Sequence, residues 1–390
     1  MTNNVSIHRY FAACSPGLET LLEEELVEIG IVGECVPGGV TFQGPLDILW
    51  TIALKSRLAE SLRLRLKPFL ATSFEALETG FARLPWHAYL APNQPISASV
   101  TCSESRLYHT AAVEERLLRI IEARSKNRQT NAPCQTNIPP QKVFVRIVRN
   151  EVQVSIDASG ELLHRRGYRT HIGRAPIRET LAAAALRKLT RHLTTSPPLN
   201  LWDPCCGSGT FLCEWLQDVQ QILPGFSAPT ERKYAFERWP VHSEASYSDF
   251  RSKLNPKDAG DATYHRRAYG SDRDPKTLES ARFNLEQAHV LLNCELFCAD
   301  FHRVAAQIPK DTAVISNLPY GVRLKRTNDR PSTWQILDQL LASRQDLRPA
   351  LVITTENPPK RAHNEWKSYV KFANGGLRVT AWGLLKVPTR

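Results

Sequence analysis

The 390-residue chain carries 50 Lys and Arg against 39 Asp and Glu, a net charge of +11, with 42% hydrophobic residues. That length exceeds one minimal core and predicts about two or three domains, and no run of about 18 apolar residues occurs that would make a membrane helix. Nine cysteines, an odd number with no C-x-x-C pair and with Cys205 and Cys206 adjacent, argue for reduced thiols and against a disulfide framework or a metal site.

The N-terminal stretch turns acidic early and has neither an apolar signal core nor an arginine-rich transit pattern, so a cytoplasmic protein is expected. "HRYFAACSP" reads as a strand. "GLETLLEEELVEIG" follows as a helix, with Leu18, Leu21, Leu22, Leu26 and Ile29 at helical spacing and Gly30 as its stop. "GGVTFQG" is strand-like and "PLDILWTIALKS" helical, which completes a small α+β unit over 1–65. From 66 to 160 helices again alternate with strands, ending in "KVFVRIVRNEVQVSIDAS", a hairpin turned at Arg149 and Asn150. The polar, proline-containing "NRQTNAPCQTNIPPQ" is expected to be a loop.

Charge is unevenly distributed along this half. Residues 1–54 hold one Lys or Arg against seven acids, residues 55–149 hold fifteen against seven, and residues 164–191 hold eight against one. A basic middle and a very basic connector are the footprint expected of a polyanion binder, since phosphate contacts release counterions. A solvated arginine surface is the plainer alternative.

From 161 to 390 the rhythm changes. "LNLWD" reads as a buried strand, "PCCGSGT" as a turn and "FLCEWLQDVQQIL" as a helix. "RAYGSD" and "RDPKTLESARFNLEQAHV" repeat the unit, and "CELFCAD", "TAVISN" and "PALVITTE" add strands. Strands alternating with helices predict an α/β parallel sheet covered on both faces. Ligands of such sheets bind beyond the carboxyl ends of the strands.

Glycines in Asp203-Pro-Cys-Cys-Gly207-Ser-Gly209-Thr210 let backbone approach a ligand closely, but the turn lacks both the Walker lysine and the dinucleotide spacing. Acids end the next two strands. Asp272 is placed to accept ribose hydroxyls, and Asp300 to accept an adenine amine, so the three strand ends describe a site for an adenosine-bearing cofactor without a pyrophosphate. For Asp274, which precedes Pro275, a helix cap is the preferred reading.

"DPCCGSGT", "GSDRDP", "ADF" and "SNLPYG" resemble the successive motifs of class I S-adenosylmethionine-dependent methyltransferases. "SGELLHRRGYRTHIGRAPIRETLAAAAL" and "FERWP" narrow the likeness to the THUMP-domain RNA guanine-N2 methyltransferases, whose best-known bacterial member acts on 23S rRNA. The N-terminal "FAACSPGLETLLEEEL" and "SRLYHTAAVEERLLRII" also fit, so the likeness covers nearly the whole chain. It implies a ferredoxin-like domain over 1–65, a THUMP RNA-binding domain over 66–160, and a Rossmann-like methyltransferase domain over 161–390 with an insertion at about 218–262 that shapes the RNA side of the cleft. It further implies that Asp203, Gly207, Gly209 and the turn residues Cys205 and Thr210 hold the methionine part of S-adenosylmethionine, with Asp272 at the ribose, Asp300 at the adenine, and Glu179 and Thr180 close by.

The turn "NLPYG" then has a chemical role. The lone pair of an exocyclic purine amine is delocalised into the ring, so the amine must be held and repolarised. Asn317 can accept one of its hydrogens and the carbonyl of Leu318 or Pro319 the other, while Tyr320 offers a flat face to the base. A proline turn with a packed tyrosine is the alternative. Relatives usually show two prolines after the asparagine, and Leu318 blurs the choice between rRNA and tRNA. Arg165, Arg166, Arg169 and Arg174, with Arg323 and Lys325, are candidates for holding structured RNA. Methylation of adenine or of a protein glutamine, and a non-catalytic RNA-binding assembly factor, are the competing functions; no activator protein is indicated.

Overall fold

The computed structural model describes residues 6–126, 138–171, 177–193, 198–227, 230–254, 266–319, 331–374 and 376–385. In chain order the N-terminal half contains β1 (His8–Ala13), α1 (Glu19–Glu28), β2 (Gly33–Val36), β3 (Gly39–Gly44), α2 (Ile48–Lys55), β4 (Ser61–Arg65), β5 (Phe69–Leu70), α3 (Phe74–Arg83), α4 (Trp86–Tyr89), β6 (Ile96–Ser103), α5 (Thr110–Lys126), β7 (Gln141–Val148) and β8 (Glu151–Asp157). The expected loop lies mostly outside the described residues, at 127–137.

Alternation explains why these strands form one covered sheet. In β7, Gln141, Val143, Val145 and Ile147 are buried while the residues between them point outward. Arg149 (φ 51°) and Asn150 (φ 65°) take the left-handed conformation that a tight hairpin requires, so β7 pairs with β8 as expected. The sheet order is β2-β3-β1-β4-β8-β7-β6, with β5 against β8. Antiparallel pairing of β4 with β8 joins residues 8–65 and 96–157 into one continuous sheet. Periodicity identifies strands but is silent about which strand lies beside which.

The second half comprises α6 (Glu179–His192), β9 (Asn200–Asp203), α7 (Thr210–Val219), 3-10 turns at Pro224–Phe226 and Ala235–Arg238, α8 (Glu244–Leu254), β10 (Arg267–Asp272), α9 (Pro275–Gln287), β11 (Cys294–Cys298), α10 (Phe301–Val304), β12 (Thr312–Asn317), α11 (Thr333–Ser343), β13 (Ala350–Thr354), β14 (Lys367–Asn374) and β15 (Leu377–Leu384). Its sheet runs β11-β10-β9-β12-β13-β15-β14, parallel from β11 through β13, with β15 antiparallel to both neighbours. Strand order reverses between β9 and β12, which is where an open α/β sheet leaves a crevice at its carboxyl edge. The β14–β15 hairpin and α11 were not anticipated from the sequence. Asp274 caps α9, accepting from Lys276 N at 3.1 Å and Thr277 Oγ1 at 3.0 Å, with Pro275 in the first helical position.

The segment after α7 fastens the two halves together. Tyr234, Phe236 and Trp239 are each at most 2% exposed. Tyr234 OH donates to Ala53 O at 3.1 Å, Phe236 N to Ala158 O at 3.1 Å, and Trp239 Nε1 to Gln141 Oε1 at 3.0 Å. "FERWP", expected at the RNA side of the cleft, is thus packed into the N-terminal half. Gly225 makes the approach of its turn to α2 feasible, because a Cβ there would fall 2.3 Å from Leu54 Cδ2.

Candidate active site

The turn from β9 to α7 is held on three sides. Asp203, 2% exposed at the end of β9, accepts from Cys205 N at 3.1 Å and from Ser316 Oγ at 2.8 Å. Cys206 N donates to Ser271 O at 3.0 Å, and Ser271 Oγ to Pro204 O at 3.0 Å, so β10 grips the same turn. Gly207 N donates to Asp272 Oδ2 at 3.2 Å, while Asp272 Oδ1 accepts from Asp274 N at 3.0 Å. Gly207 (φ +53°) and Gly209 (φ +81°) are left-handed, and a Cβ on Gly207 would meet nothing within 4 Å. Open space therefore lies over a backbone turn at the head of a helix whose first residue, Thr210, is buried. This is a cradle into which ligand can approach main chain.

The basic connector reaches this turn from the N-terminal side. Arg169 pairs with Glu179 Oε1 at 3.1 Å and donates to Ile177 O at 2.6 Å and Thr210 Oγ1 at 3.3 Å. Asn284 on α9 donates to the carbonyls of His171 (2.9 Å) and Ser208 (3.0 Å). Connector, glycine turn and α9 are thereby one hydrogen-bonded unit. Glu179 Oε2 and Thr180 Oγ1 are buried and have no hydrogen-bond partner among the described residues, the kind of orphaned acceptors that a bound ammonium or hydroxyl satisfies.

Electrostatics at the turn favour a cation. Burial pushes the Asp203 carboxyl up to about 7, opposed by the hydrogen bonds from Ser316 and Cys205 and reinforced by Asp272. Burial likewise pushes Glu179 up to about 7, with Arg169 opposing. Two acids raised this far by burial are stabilised in their ionised form by a positive ligand.

Asn317 ends β12 next to Ser316, across the switch point from Asp203. Leu318 is buried and its N–H donates to Ile353 O at 3.1 Å, which fixes the chain direction as it leaves the strand; Pro319 is exposed. Asp300 is exposed beyond β11, ahead of α10. Tyr320, Arg323, Lys325 and Arg174 lie outside the described residues. Among the described residues no group of three or more His, Cys, Asp or Glu could hold a metal, and no helix is long and apolar enough to cross a membrane.

The connector arginines divide by burial. Arg165 is exposed and pairs with Glu161 at 3.0 Å. Arg166 is buried, its Nε on Glu214 Oε1 at 2.8 Å and its Nη2 on Arg57 O at 2.8 Å, and Tyr168 OH shares that carboxylate at 2.8 Å. Arg169 is bound to Glu179 as described. Both of these expected RNA contacts have their guanidinium groups occupied inside the protein, because each faces a buried acid that must be neutralised.

Ser271, Ser316 and Asn284 were not singled out from the sequence. The first two do carry a signal, since each directly precedes a strand-end residue, Asp272 or Asn317, and so points to the opposite side of its strand.

Residues 166–375 match the family described as the RMKL-like methyltransferase domain. The chain belongs to that methyltransferase family. Residues 9–61 match the RlmL ferredoxin-like domain. Over 338 residues the chain is 32% identical to the ribosomal RNA large subunit methyltransferase K/L of Cellvibrio japonicus (strain Ueda107), covering 82% of this chain and 43% of that protein. This methyltransferase-family chain thus spans less than half the length of that relative. It is 30% identical over 379 residues, 95% of each chain, to a Synechocystis protein (strain ATCC 27184 / PCC 6803 / Kazusa) provisionally named RNA methyltransferase slr0064. Its fold matches that of SMU.472, a protein provisionally named a methyltransferase and complexed with SAH, at a TM-score of 0.80, with 24% identity and coverage of 98% and 99% of the two chains.

Proposed function

We propose that the chain transfers a methyl group from S-adenosylmethionine to the exocyclic N2 amine of a guanosine in structured RNA, 23S rRNA first and tRNA second, in the cytoplasm. The observation that carries this reading is the convergence of Asp203, the Gly207 turn and Asp272 on one side of the switch point with Asn317 on the other. The names of the K/L and Synechocystis relatives support RNA as the substrate. In the same reading residues 66–160 form a THUMP domain that presents the RNA, beside the ferredoxin-like segment.

S-adenosylmethionine, when bound, supplies an electrophilic methyl carbon on a cationic sulfur. Asp203, Cys205, Gly207, Gly209 and Thr210 form the cradle for its methionine end, with Glu179 and Thr180 supplying the orphaned acceptors nearby. Asp272 would accept from the ribose hydroxyls and Asp300 from the adenine amine. Asn317 accepts one hydrogen of the guanine amine through Oδ1, and the carbonyl of Leu318 or Pro319 accepts the other, which restores electron density to the nitrogen. Pro319 stiffens the turn. Alignment of nitrogen with methyl carbon supplies most of the acceleration, and no covalent enzyme intermediate is needed. Since duplex RNA hides its base edges, the target guanine sits in a loop or is swung out of its stack.

The test is nucleoside mass spectrometry on RNA incubated with the protein and methyl-labelled S-adenosylmethionine. Labelled N2-methylguanosine is expected. Labelled methyladenosine, or label in protein glutamine, overturns the assignment of the base.

A further inference from the structure

On the side of Asn317 away from the glycine turn, the carboxyl edge of the second sheet carries three tryptophans and a carboxylate that no role above uses. β12 and β13 are parallel with Asn317 in register with Ile353, and Leu318 N donates to Ile353 O at 3.1 Å, so the two strands leave the sheet side by side. Between parallel strands the chain must return from one edge of the sheet to the other. Helix α11 makes that return, so its first turn lies at the carboxyl edge. A capping box fixes this turn: Ser332 Oγ accepts from Gln335 N at 3.2 Å, and Gln335 Oε1 accepts from Ser332 N at 2.7 Å. Trp334 is the second residue of the helix.

Trp334 is 2% exposed and shares a core cluster with Leu318. Its ring meets Trp366 edge to face at 5.7 Å and lies 6.2 Å from Trp382. Two of the three indole N–H groups are used inside the protein: Trp366 Nε1 donates to Asp338 Oδ1 at 2.7 Å, and Trp382 Nε1 to Glu356 O at 3.2 Å. Trp334 Nε1 is buried with no hydrogen-bond partner among the described residues, although a buried indole N–H ordinarily finds an acceptor. Glu356 lies two residues beyond the end of β13 and is half-buried. Both of its main-chain groups are engaged, the carbonyl by Trp382 and the N–H by Thr354 Oγ1 at 3.2 Å. Further along the same loop, Asp338 accepts from His363 N at 2.6 Å and Asn364 Nδ2 at 2.9 Å, which pins the loop to α11. Trp382 brings the two features together, since it packs near the Trp334 ring and bonds the Glu356 carbonyl.

We propose that Trp334 and Glu356 are the residues that select guanine, the indole N–H donating to O6 and the carboxylate accepting from N1–H, while Asn317 accepts from the N2 amine. This rests on the guanine reading above and adds the groups that enforce it. Asn317 alone does not discriminate, because an amide oxygen accepts equally from the exocyclic amine of adenine. Along its Watson–Crick edge guanine presents two donors, N2 and N1, and then an acceptor, O6; adenine presents an acceptor at N1 and a donor amine at C6. With the cofactor assigned to the ends of β9 and β10, a base whose amine meets Asn317 turns the rest of that edge toward β13, where Glu356 and Trp334 stand. Guanine satisfies both. Adenine sets its N1 lone pair against the carboxylate and its amine against the indole N–H, leaving polar groups unpaired in a buried site. Sites built in this way reject the mismatched analogue strongly.

The test uses the full chain and an RNA fragment spanning the guanosine that methyl labelling identifies, synthesised with guanosine or with 2,6-diaminopurine at that one position. Diaminopurine keeps the 2-amino group but carries a lone pair at N1 and an amine at C6. The wild type is expected to prefer guanosine in kcat/KM by at least roughly 100-fold. Glu356→Gln, whose amide can donate to N1, is expected to lower that preference about 10-fold or more. Trp334→Phe keeps an aromatic ring and removes the N–H; it is expected to lower kcat/KM for guanosine roughly 2- to 12-fold and to leave diaminopurine within about twofold. S-adenosylmethionine affinity is expected to be unchanged in both variants. A preference unaltered in both variants overturns the proposal. Equal losses for the two bases overturn it for the residue concerned, since lost packing does not distinguish them. If the wild type labels guanosine and the preference survives both substitutions, only this selection fails; if it labels no guanosine, the proposed function fails and takes the selection with it.

Discussion

Ser316 Oγ donates a 2.8 Å hydrogen bond to Asp203 Oδ1, and this contact ties the end of β12 to the end of β9 across the switch point. The residue that follows Ser316 is Asn317, so the strand end assigned to the amine and the strand end assigned to the cofactor are fixed relative to each other through one hydroxyl.

Ser316→Ala removes that tie and leaves Asp203 with the Cys205 N–H. A hydrogen bond to a charged group is worth about 1.5–3 kcal/mol. Titration calorimetry is expected to show S-adenosylmethionine affinity lowered by roughly 10- to 100-fold, a loss in that energy range, and the variant's pH dependence shifted upward, because a contact that lowers the Asp203 value has gone. Unchanged affinity refutes the coupling.

Cofactor binding is expected to release protons. Asp203 and Glu179 each sit at about 7, above their ordinary values, chiefly through burial. A raised carboxyl binds a proton in the folded state that the unfolded chain releases, so its contribution to stability falls as pH rises from about 4 to 7. His164, pushed down to about 4 by burial and by Arg178, contributes in the opposite sense, its share being lost as pH falls through that window. A cation at the turn draws both carboxyls to their ionised form. Calorimetry at pH 7 in two buffers of different ionisation enthalpy is expected to report release of roughly one proton in total, falling by about half in Asp203→Asn, with affinity rising as pH increases from 6 to 8. Proton uptake contradicts the assignment.

Arg166 and Arg165 are adjacent but predict different outcomes. Arg166→Ala leaves the Glu214 carboxylate, whose side chain is 0% exposed, with Tyr168 OH at 2.8 Å and Arg57 at 3.6 Å in place of its closest cation, and removing one partner of a buried pair costs about 3–5 kcal/mol. Arg165→Ala acts on an exposed pair and is expected to change stability by less than about 0.5 kcal/mol. Urea unfolding distinguishes them; equal effects contradict the division of the connector into structural and surface arginines.

Much of the site was legible because its chemistry falls at the ends of short apolar strands. "TAVISN" is β12 residue for residue, "RAYGSD" is β10, and each ends on the residue assigned a role. Asp274 was separable from Asp272 because a proline follows it. What could not be read was partner choice across the chain. Arg166 and Arg165 are equivalent in a charge count, and only the arrival of Glu214 from α7 makes one of them internal. "FERWP" carries aromatic residues suited either to a base or to a core, and Gln141 and Ala158 decide for the core. Pairing of β4 with β8, which makes one sheet of two halves, leaves no mark on the period of either strand.

The central claim is that Asn317 acts on the amine while the ends of β9 and β10 hold the donor. Asn317→Ala therefore separates the two roles most directly, measured as methyl transfer to RNA and as S-adenosylmethionine binding on the same preparation. The account predicts cofactor affinity within about twofold of wild type, less than 0.5 kcal/mol, and formation of N2-methylguanosine reduced by at least roughly 100-fold, a loss of about 2.7 kcal/mol in transition-state stabilisation. N2-methylguanosine formed by Asn317→Ala at the wild-type rate would contradict it.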